Sequence, residues 1–201
     1  MDKSWIFKRG LPSSAFLLKA WEGEPLTKAL KGINVAFALP SSDPDISLFV
    51  VKGNEIIGQC SANSAVTYWS HLETIYSTDQ NFSTRVFIAI HKKAVKAEQE
   101  YLNRIGEPRE KAFHNSGVAV LPEYRGQRLG MHMFERQIQL CRELNQTTFF
   151  CETTSRYSSA IVNALGFTRI AQYPYKQLAE ELACGDLEAL ADSFSVWVLK
   201  I

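Results

Sequence analysis

GVAVLPEYRGQRLG, residues Gly117–Gly130, runs from an apolar, β-prone segment into the mouth of a helix. Pro122 stops strand pairing and sets a turn. Gly126 and Gly130 then alternate with Arg125 and Arg128. A helix start leaves backbone N–H groups unpaired and carries a partial positive charge. A turn that aims those groups at one point binds phosphate oxygens. Glycine permits close approach, and arginine adds charge beside it. The same string also fits an ordinary strand-to-helix turn with surface arginines. Neither the P-loop pattern nor the G-x-G-x-x-G dinucleotide fingerprint is present.

The flanking segments alternate in type. Ala112–Val120 reads as the strand entering the turn. Leu129–Leu144 is amphipathic, with Leu129, Met133, Phe134, Ile138, Leu140, Cys141 and Leu144 on one broad side. Thr147–Thr153 is a buried-type strand, Ser158–Leu165 a short helix stopped by Gly166, and Phe167–Gln172 a further strand. Lys176–Leu190 is helical with an interruption near Gly185, and Ser195–Leu199 is a last strand. Upstream, Ile46–Val51 and Glu55–Ala62 flank Lys52-Gly53-Asn54 as a hairpin. Ser4–Lys8 suits a short first strand, and Ser13–Ala20 and Leu26–Leu30 suit helices. Val35–Leu39 and Val66–Tyr76 are of open type, and Arg85–Ile105 has the composition of a long helix ended by Gly106-Glu107-Pro108. This order predicts an α/β (α+β) chain: a mixed, largely antiparallel twisted sheet flanked by helices.

The chain has 201 residues, 21% of them charged, and a net charge of +1. That fits one domain over 1–201 and gives no electrostatic reason to expect nucleic acid or membrane as partner. The N-terminus MDKSWIFKRGLPSS lacks a long apolar stretch, so the expected location is cytoplasmic. The four cysteines form no C-x-x-C and the histidines are scattered, so no metal is expected. Cys151 reads as a buried core thiol.

V-A-V-L-P-E-Y-R-G-Q-R-L-G resembles the central motif of the GNAT superfamily, the acetyl-CoA-dependent N-acetyltransferases. Arg125 and Gly130 match the ends of the family's [QR]-x-x-G-x-[GA] pattern, and Arg128 replaces its inner glycine. Downstream, C-E-T-T-S-R-Y-S-S-A-I-V-N-A-L-G-F resembles the second family motif, with Leu165, Gly166 and Phe167 matching its ending. The strong resemblance covers about 113–173, with 66–105 and 176–190 as helical insertions. It implies acetyl-CoA as co-substrate, lying between the Val118 strand and the Thr147–Thr153 strand. The pantetheine arm would pair with the backbone of Val118, Ala119 and Val120 as an added strand. The pyrophosphate would sit on Arg125, Gly126, Gln127, Arg128, Leu129 and Gly130.

Acetyl transfer needs a neutral amine, a polarised carbonyl and a proton for the leaving thiolate. The strand position where the family often has a glutamate is His114 here. Period two puts His114, Ser116, Val118 and Val120 on one face. A histidine titrates near neutrality, so His114 serves either as base or as a hydrogen-bonded strand histidine. Glu152 is a second candidate, or else a strand-edge charge paired with an arginine. The family's tyrosine acid is replaced by Val162. Tyr157 stands one turn away, either as acid or stacked near the cofactor, and Tyr173 and Tyr175 are further possibilities. The resemblance implies an N-acetyltransferase acting by direct attack of a primary amine. The alternative is a weakly catalytic module that binds a CoA thioester for sensing or scaffolding. The added helices suit an acceptor lid or a homodimer surface. The acceptor is a small-molecule or peptide amine, with Trp21, Tyr68, Trp69, His71, Tyr76 and Phe82 available to line a pocket or to fill the core.

Overall fold

A computed structural model of the chain describes residues 5–10, 16, 20, 43–70, 82–183, 187 and 193–201. The elements are β1 (Trp5–Arg9), β2 (Leu48–Lys52), β3 (Glu55–Ser64), α1 (Phe82–Ile105), β4 (Ala112–Val120), α2 (Leu129–Glu143), β5 (Thr148–Thr153), α3 (Arg156–Ala164), β6 (Thr168–Pro174), α4 (Tyr175–Leu182) and β7 (Ser193–Lys200). Residues 65–70 are also helical. The seven strands form one sheet in the order β1-β2-β3-β4-β5-β7-β6. Its pairs are antiparallel except β4–β5, which is parallel. A parallel pair needs a crossover, and α2 supplies it.

Alternation along the strands divides the core in two. Phe149, Cys151 and Trp197 point to the face covered by α2 and α3, against Phe134, Ile138 and Val162. Phe150 and Val198 point to the other face, against Tyr68, Trp69 and Leu102. There α1 and α4 close the layer through Val86, Ile90, Tyr175 and Leu178, packed on Phe194 of β7. The helices expected within 66–105 and 176–190 thus pack their apolar sides on the sheet. Tyr68 and Trp69 are buried rather than lining an open pocket.

Element boundaries follow local chemistry. α3 starts at Arg156 rather than at Ser158 because Ser155 caps it, its Oγ accepting from the Ser158 N–H at 3.3 Å. α1 starts at Phe82, before the expected Arg85, and its end is marked by Gly106 at φ +67°. Of the expected N-terminal helices only Phe16 and Ala20 are described, both helical. Leu26–Leu30, Val35–Leu39, Trp21, His71, Tyr76 and the side chain of Phe82 lie outside the described residues.

One expectation is overturned. His114 does not share a face with Val118 and Val120. The β3–β4 register slips between Ser61 and Ala62, so Ala62 faces Asn115 while Ser61 faces Gly117. The extra residue is a β-bulge, and it inverts the alternation beyond it. Asn115, not His114, therefore lies with Val118 on the α2 face. There Asn115 donates to Gln137 Oε1 at 2.8 Å, and Val118 packs with Cys60, Leu129 and Met133. His114 faces α1. The Gln137 amide also donates to the carbonyls of Ile46 and Cys60, at 3.2 and 3.0 Å, so its burial leaves no polar atom unpaired.

Candidate functional site

The site begins where β4 and β5 part. Their parallel pairing runs from Ala112–Thr148 to Asn115–Cys151 and stops there. Beyond the bulge, Leu121 donates its N–H to Ile57 at 3.0 Å across β3. Backbone groups alternate in direction along a strand. Those of Val120 and Val118 therefore face away from β3, into the fork, while Ala119 faces β3 with its side chain buried beside Phe16, Ala20 and Leu121. One edge acceptor is already taken, since Arg125 Nε donates to the Val120 carbonyl at 3.2 Å.

The fork opens onto the start of α2. The first bond of the helical ladder there runs from His132 N–H to the Arg128 carbonyl, at 3.1 Å. The amides of Leu129, Gly130 and Met131 have no acceptor within the helix. Gly126 and Arg128 both lie in the left-handed region, at φ +76° and +61°. For Gly126 this costs little. Arg128 takes the conformation that glycine favours at the very position where the resembled motif has glycine, so the turn keeps its shape despite the substitution. The arginine side chains are turned to local partners. Arg125 donates to the Ala20 carbonyl at 2.8 Å, tying the turn to the N-terminal segment, and Arg128 reaches Met131 Sδ at 3.2 Å. Gly130 has a packing reason as well, because a Cβ there would stand 3.2 Å from Ile161 Cδ1 on α3.

Under the fork, on the α1 face, lies a buried polar network. His114 Nδ1 is 2.8 Å from Glu98 Oε1, and Glu98 Oε2 accepts from Trp69 Nε1–H at 2.9 Å. The Tyr68 ring stacks on the His114 imidazole, with centroids 3.6 Å apart. Tyr68 O–H donates to Glu152 Oε1 at 3.1 Å and also contacts His91 Nδ1. His91 Nδ1 lies 3.0 Å from Glu152 Oε1 and 2.9 Å from Oε2. Glu152 is therefore paired with a histidine and a tyrosine, not with the arginine of the sequence alternative. The hydrogen bond to a carboxylate places the His114 proton on Nδ1, so in the neutral ring Nε2 is the lone pair. That Nε2 is buried without a partner and lies 4.0 Å from Glu152 Oε1.

Charge follows from these contacts. Burial alone would lower the His114 pKa, but the adjacent Glu98 carboxylate, its hydrogen bond and the Glu152 charge outweigh burial and raise it above 6.5. Burial would raise Glu152, yet His91, then His114 and Tyr68, hold its carboxyl below the ordinary value. Glu98, His114 and Glu152 together offer ligand-type atoms within 4.8 Å of one another. Glu98 and Glu152 address opposite nitrogens of a single imidazole, whose lone pairs diverge. That geometry suits proton movement through the ring better than convergence on one cation.

The other sequence candidates fall elsewhere. Tyr157 is 68% exposed, its hydroxyl accepting from Arg156 at 3.1 Å. Tyr173 donates to the Lys93 carbonyl at 3.4 Å and Tyr175 to the Thr154 carbonyl at 3.1 Å. Val162 is core. Cys151 is buried, and burial pushes its thiol well up, as expected of an inert core cysteine. Sequence reasoning missed His91, Glu98 and Tyr68 as partners. The signal for His91 and Glu98 is a polar residue on a helix face otherwise made of Val86, Ile90, Ala94 and Ala97, all buried; Tyr68, outside α1, carries no such signal.

No protein-family model matches the chain, and no curated protein matches it in sequence. Solved structures do match it. A mosquito arylalkylamine N-acetyltransferase-like protein superposes with a TM-score of 0.79 at 19% identity, over 98% of this chain and 100% of that one. An agmatine N-acetyltransferase variant in its apo form gives 0.78 at 18%, over 99% and 100%. A Drosophila melanogaster polyamine N-acetyltransferase gives 0.73 at 18%, over 98% and 100%. No helix among the described residues is long and apolar enough to cross a membrane. The forked sheet and the turn into α2, with these whole-length superpositions, give this chain the same fold as these N-acetyltransferase structures.

Proposed function

We propose that the protein is an acetyl-CoA-dependent N-acetyltransferase, one domain over 1–201, that acetylates a primary amine by direct attack. The observation that carries this reading is the fork. The Val118 backbone faces the fork, next to the start of α2 whose first amides have no acceptor within the helix, and on the α1 face lies a buried imidazole whose Nε2 has no partner among the described residues. Backbone pairing to Val118 and to the Val120 N–H would hold an extended thioester arm, with Ala119 between them turned to β3, and the turn Arg125, Gly126, Gln127, Arg128, Leu129 and Gly130 would hold its pyrophosphate through amides. His114 is the base in this reading, oriented by Glu98 as a carboxylate orients the histidine of a triad, with Glu152 beside it. Tyr157, on the surface at the start of α3, is assigned in this reading to cofactor contact or to protonation of the thiolate. The structural neighbours are named for agmatine, arylalkylamine and polyamine acetylation, which supports a small amine as acceptor. The same reading takes the protein as cytoplasmic, as a homodimer, and without metal, nucleic acid or membrane as partner.

The test is calorimetric titration with acetyl-CoA, followed by free-thiol release with a panel of amines that includes agmatine, an arylalkylamine and a polyamine. Thiol release that depends on an amine supports the enzyme. Binding without release by any amine supports the CoA-sensing module instead. No binding at millimolar acetyl-CoA refutes both.

A further inference from the structure

Two carboxylates and two imidazoles meet under the fork, and the base and its orienting Glu98 are only half of them. Glu152 follows Cys151, the last β5 residue paired with β4, so its carboxylate stands where the strands separate. The side chains of Glu152 and His91 are each 8% exposed, against 1% for His114 and 0% for Glu98. Glu152 and His91 are thus the outer pair of the network, and His114 and Glu98 the inner pair. The 4.0 Å between Glu152 Oε1 and His114 Nε2 is too long for a hydrogen bond. It is the span bridged by one donor nitrogen about 2.8 Å from each.

A carboxylate buried this deeply keeps its charge and its direction only if a fixed partner holds it. His91 is that partner, within 3.0 Å of both carboxylate oxygens, with Tyr68 O–H on Oε1. α1 brings it there. His91 stands seven residues before Glu98, two helical turns, so both side chains project from one helix face. One face of α1 therefore supports both sides of the gap: Glu98 behind His114, and His91 behind Glu152.

We propose that His91 is a positioning residue for the amine, acting through Glu152; this rests on the acetyltransferase reading above. The acceptor arrives as R–NH3+. It gives one proton to His114 Nε2 and keeps an N–H on Glu152 Oε1. The freed lone pair forms the C–N bond to the thioester carbon. The C–S bond breaks with its electron pair on the CoA sulfur, and a nitrogen proton passes to that sulfur. Amide and free thiol result, and His114 returns its proton to solvent.

The test uses the full chain with acetyl-CoA and the amine panel, reading turnover by free thiol and acetyl-CoA affinity by calorimetry. His91→Leu is expected to lower kcat about a hundredfold while acetyl-CoA Kd stays within about twofold. His91→Asn, whose amide donates from near the Nδ1 position, is expected to recover at least about tenfold of that loss. A kcat for His91→Leu within about threefold of wild type overturns the proposal, as does a loss no smaller in His91→Asn. Should His91→Leu not fold, His91→Asn and Glu152→Gln decide: near-normal turnover in Glu152→Gln also overturns it. Wild-type protein that binds acetyl-CoA and acetylates none of the amines fails the transferase reading itself, and this assignment falls with it. Normal wild-type turnover with an insensitive His91 fails only this assignment.

Discussion

At the scale of the residue, His114 and Arg128 carry the most specific consequences. The Glu98 carboxylate raises His114, so the base is protonated below its raised pKa, and turnover falls as pH drops through a value above 6.5. In Glu98→Gln that cause is gone, leaving burial opposed only by the Glu152 charge. The acid limb of kcat/KM is expected to move to lower pH, read from pH-rate profiles with thiol detection. An unmoved limb removes His114 as the titrating base. Arg128 sits at φ +61°, where an L-residue is disfavoured by about 1–2 kcal/mol and a β-branched one by more. Arg128→Gly should leave stability unchanged or raise it by up to about 1 kcal/mol, whereas Arg128→Val should lower it by about 1–2 kcal/mol. Urea unfolding of the two variants reads the difference. Arg128 as a departure from the family pattern was legible in the sequence. Its backbone conformation was not, because an arginine carries no local signal for a left-handed turn.

Elements decide how the site is assembled. β4 reads as a strand from its residues alone, and its limits agree with the sequence reading. The bulge inside it does not announce itself, because it depends on what lies across β3, and it moved His114 from the expected face to the α1 face. The α2–α3 contact is similarly tight, with Ile161 over Gly130. Gly130→Leu should cost about 1–3 kcal/mol by forcing the two helices apart. Ile161→Ala in the same chain should return part of that cost, so a double-mutant cycle will show non-additivity. Additive losses would mean that the helices do not meet there. α1 was recognisable as a long helix, yet the roles of His91 and Glu98 emerge only once its face meets β4 and β5.

For the whole molecule, ligand and proton linkage report on the fold together. If acetyl-CoA binds the fork, it stabilises the folded state by about 2.7 kcal/mol at a hundred times its Kd. For a chain of this size that is a rise in Tm of about 5–10 °C. A Tm independent of acetyl-CoA at millimolar concentration would argue against the fork as its site. The two linked pKa shifts act in opposite senses. Glu152 is lowered, so its contribution to stability is present above 4.5 and lost as pH falls through the lower folded value. His114 is raised, so its contribution is complete below 6.5 and lost as pH rises through the higher folded value. Thermal unfolding across pH should show Glu152→Gln losing stability relative to wild type at neutral pH, with the two proteins converging in acid.

The strand-helix order, the resemblance of 113–173 to acetyltransferase motifs and the position of the turn into α2 are all legible in the residues alone. Each of these is local: apolar periodicity, proline and glycine punctuation, and residues close together in the chain. Which groups meet is set by how the folded segments pack. The register slip between β3 and β4, the end of β4–β5 pairing at Asn115 and the docking of α1 are long-range facts, set by side-chain packing between segments far apart in the chain. They joined His91, Glu98, His114, Glu152 and Tyr68 into one buried network. They also left Tyr157 on the surface, and no spacing within any single segment encodes either result.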